Sequence, residues 1–354
     1  MTGPLTIDGR PIGADHPPYV IAELSGNHNG DLRRALALVD AAKAAGADAV
    51  KLQTYTADTI TIDHHGPGFD IEGGLWHGRT RYELYQEAST PWEWHQALFE
   101  RAGQQGITVF SSPFDPTAVA LLRSLGAPAY KIASFELVDL PLIDVCAKSG
   151  KPLIMSTGMA SEGEIAEALA AARQAGNDEL VLLHCVSGYP TPISDSNIRR
   201  IPRLAERFGV PVGLSDHSPG ITVPIAAVAL GAAVIEKHFT LSRADGGPDA
   251  AFSLEPDELK ALVQGVRAAW ESLGDAEEKI KPSEAASLSY RRSLYAVADI
   301  AAGDPFTPAN VRSIRPGFGL PPKEINHVLG HRAARAISRG SPLEWSMVGK
   351  ASDE

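Results

Sequence analysis

The sequence predicts an α/β protein: a (β/α)8 TIM barrel followed by a small, mostly β domain. Three observations lead there. Eight short apolar or β-branched runs each end in polar residues, and each is followed by an Ala/Leu-rich stretch of helical periodicity. Eight such units within residues 1–274 fit the ~250 residues that a (β/α)8 barrel occupies. Beyond residue 274 the alternation stops, and short extended runs are separated by Gly and Pro.

In chain order the expected strands are 19–25, 48–54, 107–114, 129–134, 152–158, 179–185, 211–217 and 233–240. The helices that follow them are 32–45, 91–105, 116–125, 140–149, 161–175, 197–208, 221–230 and 255–273. Ser161 and Glu164 have the spacing of a capping box, in which each side chain satisfies a backbone N–H left open by the first turn. Gly46, Gly106, Gly150 and Gly231 stand where helices end, as left-handed C-caps require. A doubly wound open sheet is the competing architecture. Its first turn normally carries G-x-G-x-x-G, whereas this one reads Ser25-Gly26-Asn27-His28-Asn29-Gly30.

Residues 55–90 are too long for an ordinary strand–helix loop and are rich in His, Gly and aromatics, among them His64, His65, Trp76, His77, Tyr82 and Tyr85. On a barrel this insertion lies on the catalytic face and shapes the substrate pocket, or else is a packed ornament or oligomer contact. Residues 275–286 are charged and Pro-interrupted. The expected division is a catalytic barrel domain, 1–274, a linker, 275–289, and a small domain, 290–354.

The 354 residues carry 32 basic and 43 acidic side chains, a formal net charge of −11 at pH 7. An acidic chain is a poor general partner for nucleic acid or an anionic membrane, so neither is expected. An anionic substrate must be met by a few local cations. No apolar run approaches the ~18 residues of a membrane span. The first 16 residues are polar and Gly/Pro-rich, with no visible secretory signal. Cys146 and Cys185 are too few for a disulfide framework. A soluble, cytoplasmic, globular protein is expected.

In a barrel, polar residues at strand C-termini face the active site. Here they are Glu23, Asn27, His28, Lys51, Gln53, Ser112, Lys131, Ser134, Glu136, Ser156, His184, Ser215, Asp216, His217, Glu236 and His238. Strand alternation puts Lys51 with Gln53, and Glu236 with His238, on common faces. His217 and His238 end adjacent strands, near enough to share a cation through neutral imidazoles. Glu23 lies beside strand eight after closure, so two His and a carboxylate would suit a divalent Lewis acid. The alternative for both His is a hydrogen-bonded core role. Lys51 and Lys131, ringed by serines, form a cradle for a phosphate or carboxylate, or else pair with Glu136 or Asp216. No G-x-S-x-G elbow occurs, and nothing in the sequence activates Cys185 as a nucleophile.

Several motifs resemble the sialic acid synthase family: Ile21-Ala22-Glu23, Asn27-His28-Asn29-Gly30, Ala45-Gly46-Ala47-Asp48-Ala49-Val50-Lys51, Tyr130-Lys131-Ile132, Ser156-Thr157-Gly158, Gly213-Leu214-Ser215-Asp216-His217 and Glu236-Lys237-His238-Phe239. Arg292-Ser293 and Arg315-Pro316 resemble its C-terminal antifreeze-like (SAF) domain. Thr54-Tyr55-Thr56, Gly73-Gly74-Leu75-Trp76, Tyr82-Glu83-Leu84-Tyr85, Thr90-Pro91-Trp92-Glu93-Trp94-His95 and Ser134-Phe135-Glu136 resemble the pseudaminic branch. One departure is His184-Cys185-Val186-Ser187, where that branch often carries Lys-Cys-Thr-Ser and a His is more typical of N-acetylneuraminate synthases.

The resemblance implies a metal-dependent condensation of phosphoenolpyruvate with an N-acetylated amino sugar, for this branch 2,4-diacetamido-2,4,6-trideoxy-L-altrose. Alternatives are an N-acetylneuraminate or legionaminic acid synthase and, further off, a non-catalytic sugar-binding protein. It implies His217 and His238 as ligands of a divalent ion, Mn²⁺ first and Mg²⁺ or Co²⁺ next. It implies phosphoenolpyruvate contacts at Lys51, Ser112, Lys131, Ser134, Ser156 and Ser215, and sugar contacts at Glu23, Gln53, Tyr189, Asp249 and Arg315. Glu23, Glu136 and Asp249 are the expected catalytic carboxyls. A homodimer is implied, the SAF domain of one copy reaching the barrel of the other.

Overall fold

The computed structural model describes residues 5–351. Contacts divide the chain into two compact units, Met1–Gly274 and Asp275–Glu354. In the first, eight parallel strands close into a barrel: β1 (Tyr19–Glu23), β2 (Ala49–Thr54), β3 (Thr108–Pro113), β4 (Tyr130–Ile132), β5 (Leu153–Ser156), β6 (Leu180–Cys185), β7 (Val212–Asp216) and β8 (Val234–His238). Each pairs with its sequence neighbour, and β8 closes on β1 with His238 opposite Glu23. All eight expected strands form, and closure excludes the open doubly wound sheet.

The outer helices are α1 (Leu32–Ala45), α2 (His95–Gln105), α3 (Pro116–Ser124), α4 (Leu140–Ala147), α5 (Glu162–Gln174), α6 (Arg200–Phe208), α7 (Thr222–Ala229) and α8 (Pro256–Leu273). α1 shows why they form. The Asp31 carboxylate accepts the Arg33 N–H at 2.8 Å, Gly46 ends the helix at φ 89°, and Ala35, Leu38, Val39 and Ala42 make one buried face. The Ser161–Glu164 capping box is present. α6 begins at Arg200 rather than at 197, because Asn197 takes a left-handed φ of 43° that no helix accommodates.

Alternation along the strands makes two apolar cores. Outward residues such as Val20, Val50, Leu182 and Ile235 pack against Leu38, Leu98, Leu169 and Leu262 of the helices. Inward residues near the strand starts, including Tyr19, Ile21, Ala49, Phe110, Ile154, Val181 and Val234, fill the barrel interior. A hairpin of Thr6–Ile7 and Arg10–Pro11 adds Ile7 and Ile12 to that inner core, closing the N-terminal end. The sequence reading missed this hairpin. Its signal is Asp8-Gly9, both at positive φ as a two-residue type I′ turn demands.

The 55–90 insertion folds. It holds short helices at Ala57–Ile60 and Arg81–Ala88, the second started by a Thr80–Glu83 capping box. The second unit pairs β9 (Ser293–Ala296) with β10 (Val311–Ile314) and β11 (His331–Ala333) with β12 (Val348–Ala351), around Leu294, Ile300, Phe306, Val311, Val328 and Leu343. Residues 282–290, partly in the expected linker, form a 3₁₀ segment of this unit. No helix among the described residues is long and apolar enough to cross a membrane.

Candidate active site

The alternation that sends Tyr19, Ala49, Phe110, Ile154 and Val234 into the lower core sends Glu23, Lys51, Ser112, Ser156 and Glu236 into the barrel two or more residues further along. The strand ends thus converge on a buried polar layer. Lys51 Nζ lies 2.6 Å from Glu23 Oε2, 3.8 Å from Glu236 Oε2 and 3.2 Å from Ser112 Oγ. Lys131 Nζ lies 3.7 Å from Glu236 Oε1, which also accepts the Ser215 hydroxyl at 2.9 Å. Gln53 donates to Glu23 Oε1 at 2.8 Å. The Ser156 hydroxyl is buried with no partner among the described residues. Ser134 Oγ accepts the Gly158 N–H at 3.1 Å, and a Cβ on Gly158 would collide with Ser134 and Ser187, so only glycine lets these hydroxyls close in.

The two lysines are not equivalent. Burial works against the Lys51 ammonium, but Glu23 and Glu236 outweigh it and hold its pKa above the ordinary lysine value. Burial also lowers the pKa of Lys131, and there the more distant Glu236 compensates only partly. Burial would raise Glu236, yet Lys131, Lys51 and the Ser215 hydroxyl together pull it below the usual carboxylate range. Lys131 is therefore the cation with donors to spare: among the described residues its one hydrogen bond is to the Ile132 carbonyl at 3.3 Å. Its ammonium could meet a phosphate or carboxylate, and Ser156 lies on the neighbouring strand. Glu136, just past β4, has a buried Oε2 with no partner among the described residues, and burial pushes its pKa up to about 7.

His217 and His238 stand side by side, ring centroids 5.3 Å apart. His217 Nδ1 lies 3.1 Å from the Val186 carbonyl and 3.8 Å from Cys185 Sγ, so an Nδ1–H donated to that carbonyl leaves the Nε2 lone pair free. Burial, then the neighbouring His217 and lysines, hold the His238 pKa well below the ordinary value, and its buried Nδ1 has no partner among the described residues. Two adjacent imidazoles with spare nitrogens fit a divalent ion with open positions. The carboxylate expected to join them does not. Glu23 turns to Lys51 and Gln53, and the described residues contain no cluster of three or more His, Cys, Asp and Glu arranged to hold a metal. Attraction to a buried ammonium at 2.6 Å explains the correction.

Beyond the His pair lies an aromatic and acidic rim. Tyr189 sits 4.5 Å from the His217 ring and 5.4 Å from Phe252, and Phe252 sits 4.9 Å from His238. Asp249 accepts from the Ser25 hydroxyl and, at 3.2 Å, from the Gly26 N–H, while burial raises its pKa.

Some strand-end candidates stay outside. Asp216 faces outward and pairs with Lys237 at 2.5 Å. His184 also faces outward, its Nε2 2.7 Å from the Ser196 carbonyl, so the residue that departs from the branch pattern does not line the polar layer; Cys185 does. Asn27 donates to the Phe239 carbonyl and to Ser253 Oγ, both at 2.9 Å, and Asn29 donates to the Gly246 carbonyl at 3.1 Å. The Asn27-His28-Asn29-Gly30 motif is thus a clamp on the segment after β8. Arg315 follows β10 in the second unit and is exposed. Sequence reasoning placed Glu236 among the strand-end candidates without seeing that it links both lysines, and it missed Phe252. The face that Glu236 shares with His238 was the available signal.

A closed (β/α)8 barrel whose strand ends gather two buried lysines, a ring of serines and a pair of adjacent imidazoles carries the groups of a barrel enzyme rather than of a structural module. The chain belongs to the NeuB family, which it matches over residues 38–278, and residues 291–349 match the SAF domain. It is 46% identical over 335 residues to the pseudaminic acid synthase of Campylobacter jejuni, covering 95% of this chain and 98% of that one. It is 39% identical over 344 residues to the N,N'-diacetyllegionaminic acid synthase of Legionella pneumophila, covering 96% and 97%. The crystal structure of an N-acetylneuraminic acid synthetase from Leptospira borgpetersenii matches with a TM-score of 0.73 and 34% identity, covering 82% of this chain and 97% of that one.

Proposed function

We infer that this chain is a phosphoenolpyruvate-dependent nonulosonic acid synthase with the activity of a pseudaminic acid synthase. Phosphoenolpyruvate, 2,4-diacetamido-2,4,6-trideoxy-L-altrose and water give pseudaminic acid and phosphate. The observation that carries the reaction class is the buried Lys51–Glu236–Lys131 arrangement, whose central Glu236 shares its strand and face with His238. The identity order, 46% to a pseudaminic acid synthase against 39% to a legionaminic one, supports the acceptor.

In this reading Lys131, Lys51 and the hydroxyls of Ser112, Ser134, Ser156 and Ser215 hold the phosphoenolpyruvate anion. His217 and His238 would hold a divalent ion, Mn²⁺ in our proposal, which supplies Lewis-acid polarisation of the acceptor aldehyde. Gln53, Asp249 and Tyr189 orient the open-chain sugar so that its carbonyl carbon meets the methylene carbon of phosphoenolpyruvate. The new C–C bond leaves positive charge at C2. Glu136, with its pKa near neutrality and an unpartnered oxygen, stabilises that charge as carboxylate and takes a proton from the water that adds there. The C2–O bond then breaks and phosphate leaves, Lys131 balancing its charge throughout. Glu23 keeps Lys51 charged and Gln53 oriented. A homodimer, with exposed Arg315 of one copy serving the acceptor end of the other's barrel, completes the proposal.

The test is phosphate release from phosphoenolpyruvate with Mn²⁺, comparing the diacetamido-trideoxy-altrose with N-acetylmannosamine. Release with the first alone is expected, and a chelator should abolish it. Release with the second alone would overturn the acceptor, and release with neither would overturn the activity.

A further inference from the structure

The insertion returns one large side chain over the barrel. In residues 72–78, Glu72, Gly73, Gly74, Leu75, His77 and Gly78 are all exposed, and Trp76 alone turns inward. Its ring centroid lies 5.8 Å from that of Tyr189, which itself stacks toward His217 and Phe252. Its indole N–H donates to the Pro248 carbonyl at 2.8 Å. Pro248 precedes Asp249, and its ring packs where Gly26 has no side chain: a Cβ on Gly26 would approach Pro248 to 2.9 Å. One residue thus faces the aromatic rim with its ring and grips the acidic segment with its N–H.

We propose that Trp76 is a specificity-determining residue for the acceptor: with Tyr189 and Phe252 it walls the subsite that receives the sugar's C6 methyl, while its N–H fixes the Pro248–Asp249 segment beside that wall. This rests on the acceptor reading above. An acetamido group carries an N–H and a carbonyl that need hydrogen-bond partners, whereas three aromatic faces offer apolar surface. Each acetyl methyl of a 2,4-diacetamido-2,4,6-trideoxy sugar comes attached to such an amide, and the C6 methyl is the one apolar substituent that brings no hydrogen-bonding group with it. A hydroxyl at C6 would lose its water against these rings without gaining a partner.

The experiment uses full-length enzyme with Mn²⁺ and two acceptors that differ only in bearing a methyl or a hydroxymethyl group at C6. For Trp76→Ala we expect kcat/KM for the 6-deoxy sugar to fall ~10–100-fold, mainly through acceptor KM, with the preference over the 6-hydroxy sugar collapsing towards one. The KM for phosphoenolpyruvate should stay within about twofold, because among the described residues Lys131 and its serines make no hydrogen bond to the insertion. Trp76→Phe keeps the ring and loses the N–H, so it should retain most of the C6 preference while acceptor KM rises; it also serves if the alanine variant does not fold. Equal losses on both acceptors, or a phosphoenolpyruvate KM rising in step with acceptor KM, would mark a merely structural role and overturn the proposal. Wild-type activity without C6 preference would overturn it while leaving the acceptor reading intact. Wild-type inactivity with both sugars would overturn that reading and this proposal together.

Discussion

The two ends of the barrel interior are built by the same eight strands and are equally buried, yet their chemistry is opposite. At the N-terminal end Tyr19, Ile21, Phe110, Ile154, Val181 and Leu183 fill the space with hydrocarbon, and the 6–11 hairpin closes it. Two residues further along, Glu23, Lys51, Lys131 and Glu236 are only 1–5% exposed. Removing apolar surface from water stabilises the fold. Removing four charges from water costs free energy that their mutual attraction returns only in part, and apolar replacements of such pairs are often neutral or stabilising. Stability alone therefore accounts for the lower end and not for the upper. The upper end is what the proposed anion site requires, with Lys131 the least satisfied of its cations.

The largest expected break in this contrast is Lys131→Met. It should lower kcat/KM for phosphoenolpyruvate by ~10³-fold or more, since a preorganised charge in a dry site is lost. A loss below tenfold would mean the two ends differ less than their chemistry says. Ile154→Ala is the converse, placed on the strand whose upper residue is Ser156. It should cost ~2–5 kcal/mol of stability in urea unfolding, with kcat of the folded enzyme within about twofold. A large fall in kcat there would dissolve the division between a stabilising and a working end. Glu136→Gln sharpens the upper end with a smaller effect, ~10²-fold in kcat. Burial raises the Glu136 pKa to about 7, so its carboxylate forms as pH rises through that value, and under the proposed role wild-type activity should climb with it. In the variant that limb should flatten; a limb that persists would assign the titration to another group.

Legibility in the sequence followed periodicity. The eight strands could be read because each carries several alternating residues ending in polar ones. The hairpin at 6–11 has only two residues per strand, too few for a period, and the Arg81–Ala88 helix buries only Leu84 and Ala88, so it shows no apolar face. At the site, parity along the strand identified Lys51, Gln53, Glu236 and His238 as inward. The same parity turns His184 outward and Cys185 inward, a distinction that the motif comparison alone did not make. What sequence could not supply is pairing across the barrel: that Glu23 goes to Lys51 rather than to the imidazoles, and that Glu236 serves two lysines, depends on distances between β1, β2, β4 and β8. The Asn27–Asn29 clamp likewise joins β1 to the segment after β8 across more than two hundred residues, beyond any local signal.

The central claim is that the upper end holds phosphate still while bonds change at the carbons of phosphoenolpyruvate. Its most direct test is a turnover with phosphoenolpyruvate carrying ¹⁸O in the oxygen that bridges C2 and phosphorus, followed by mass analysis of the phosphate released. Cleavage at carbon, with water adding at C2 near Glu136, predicts that the label leaves in the phosphate. Unlabelled phosphate, with the ¹⁸O retained in the sugar acid, would place the attack at phosphorus and contradict the account.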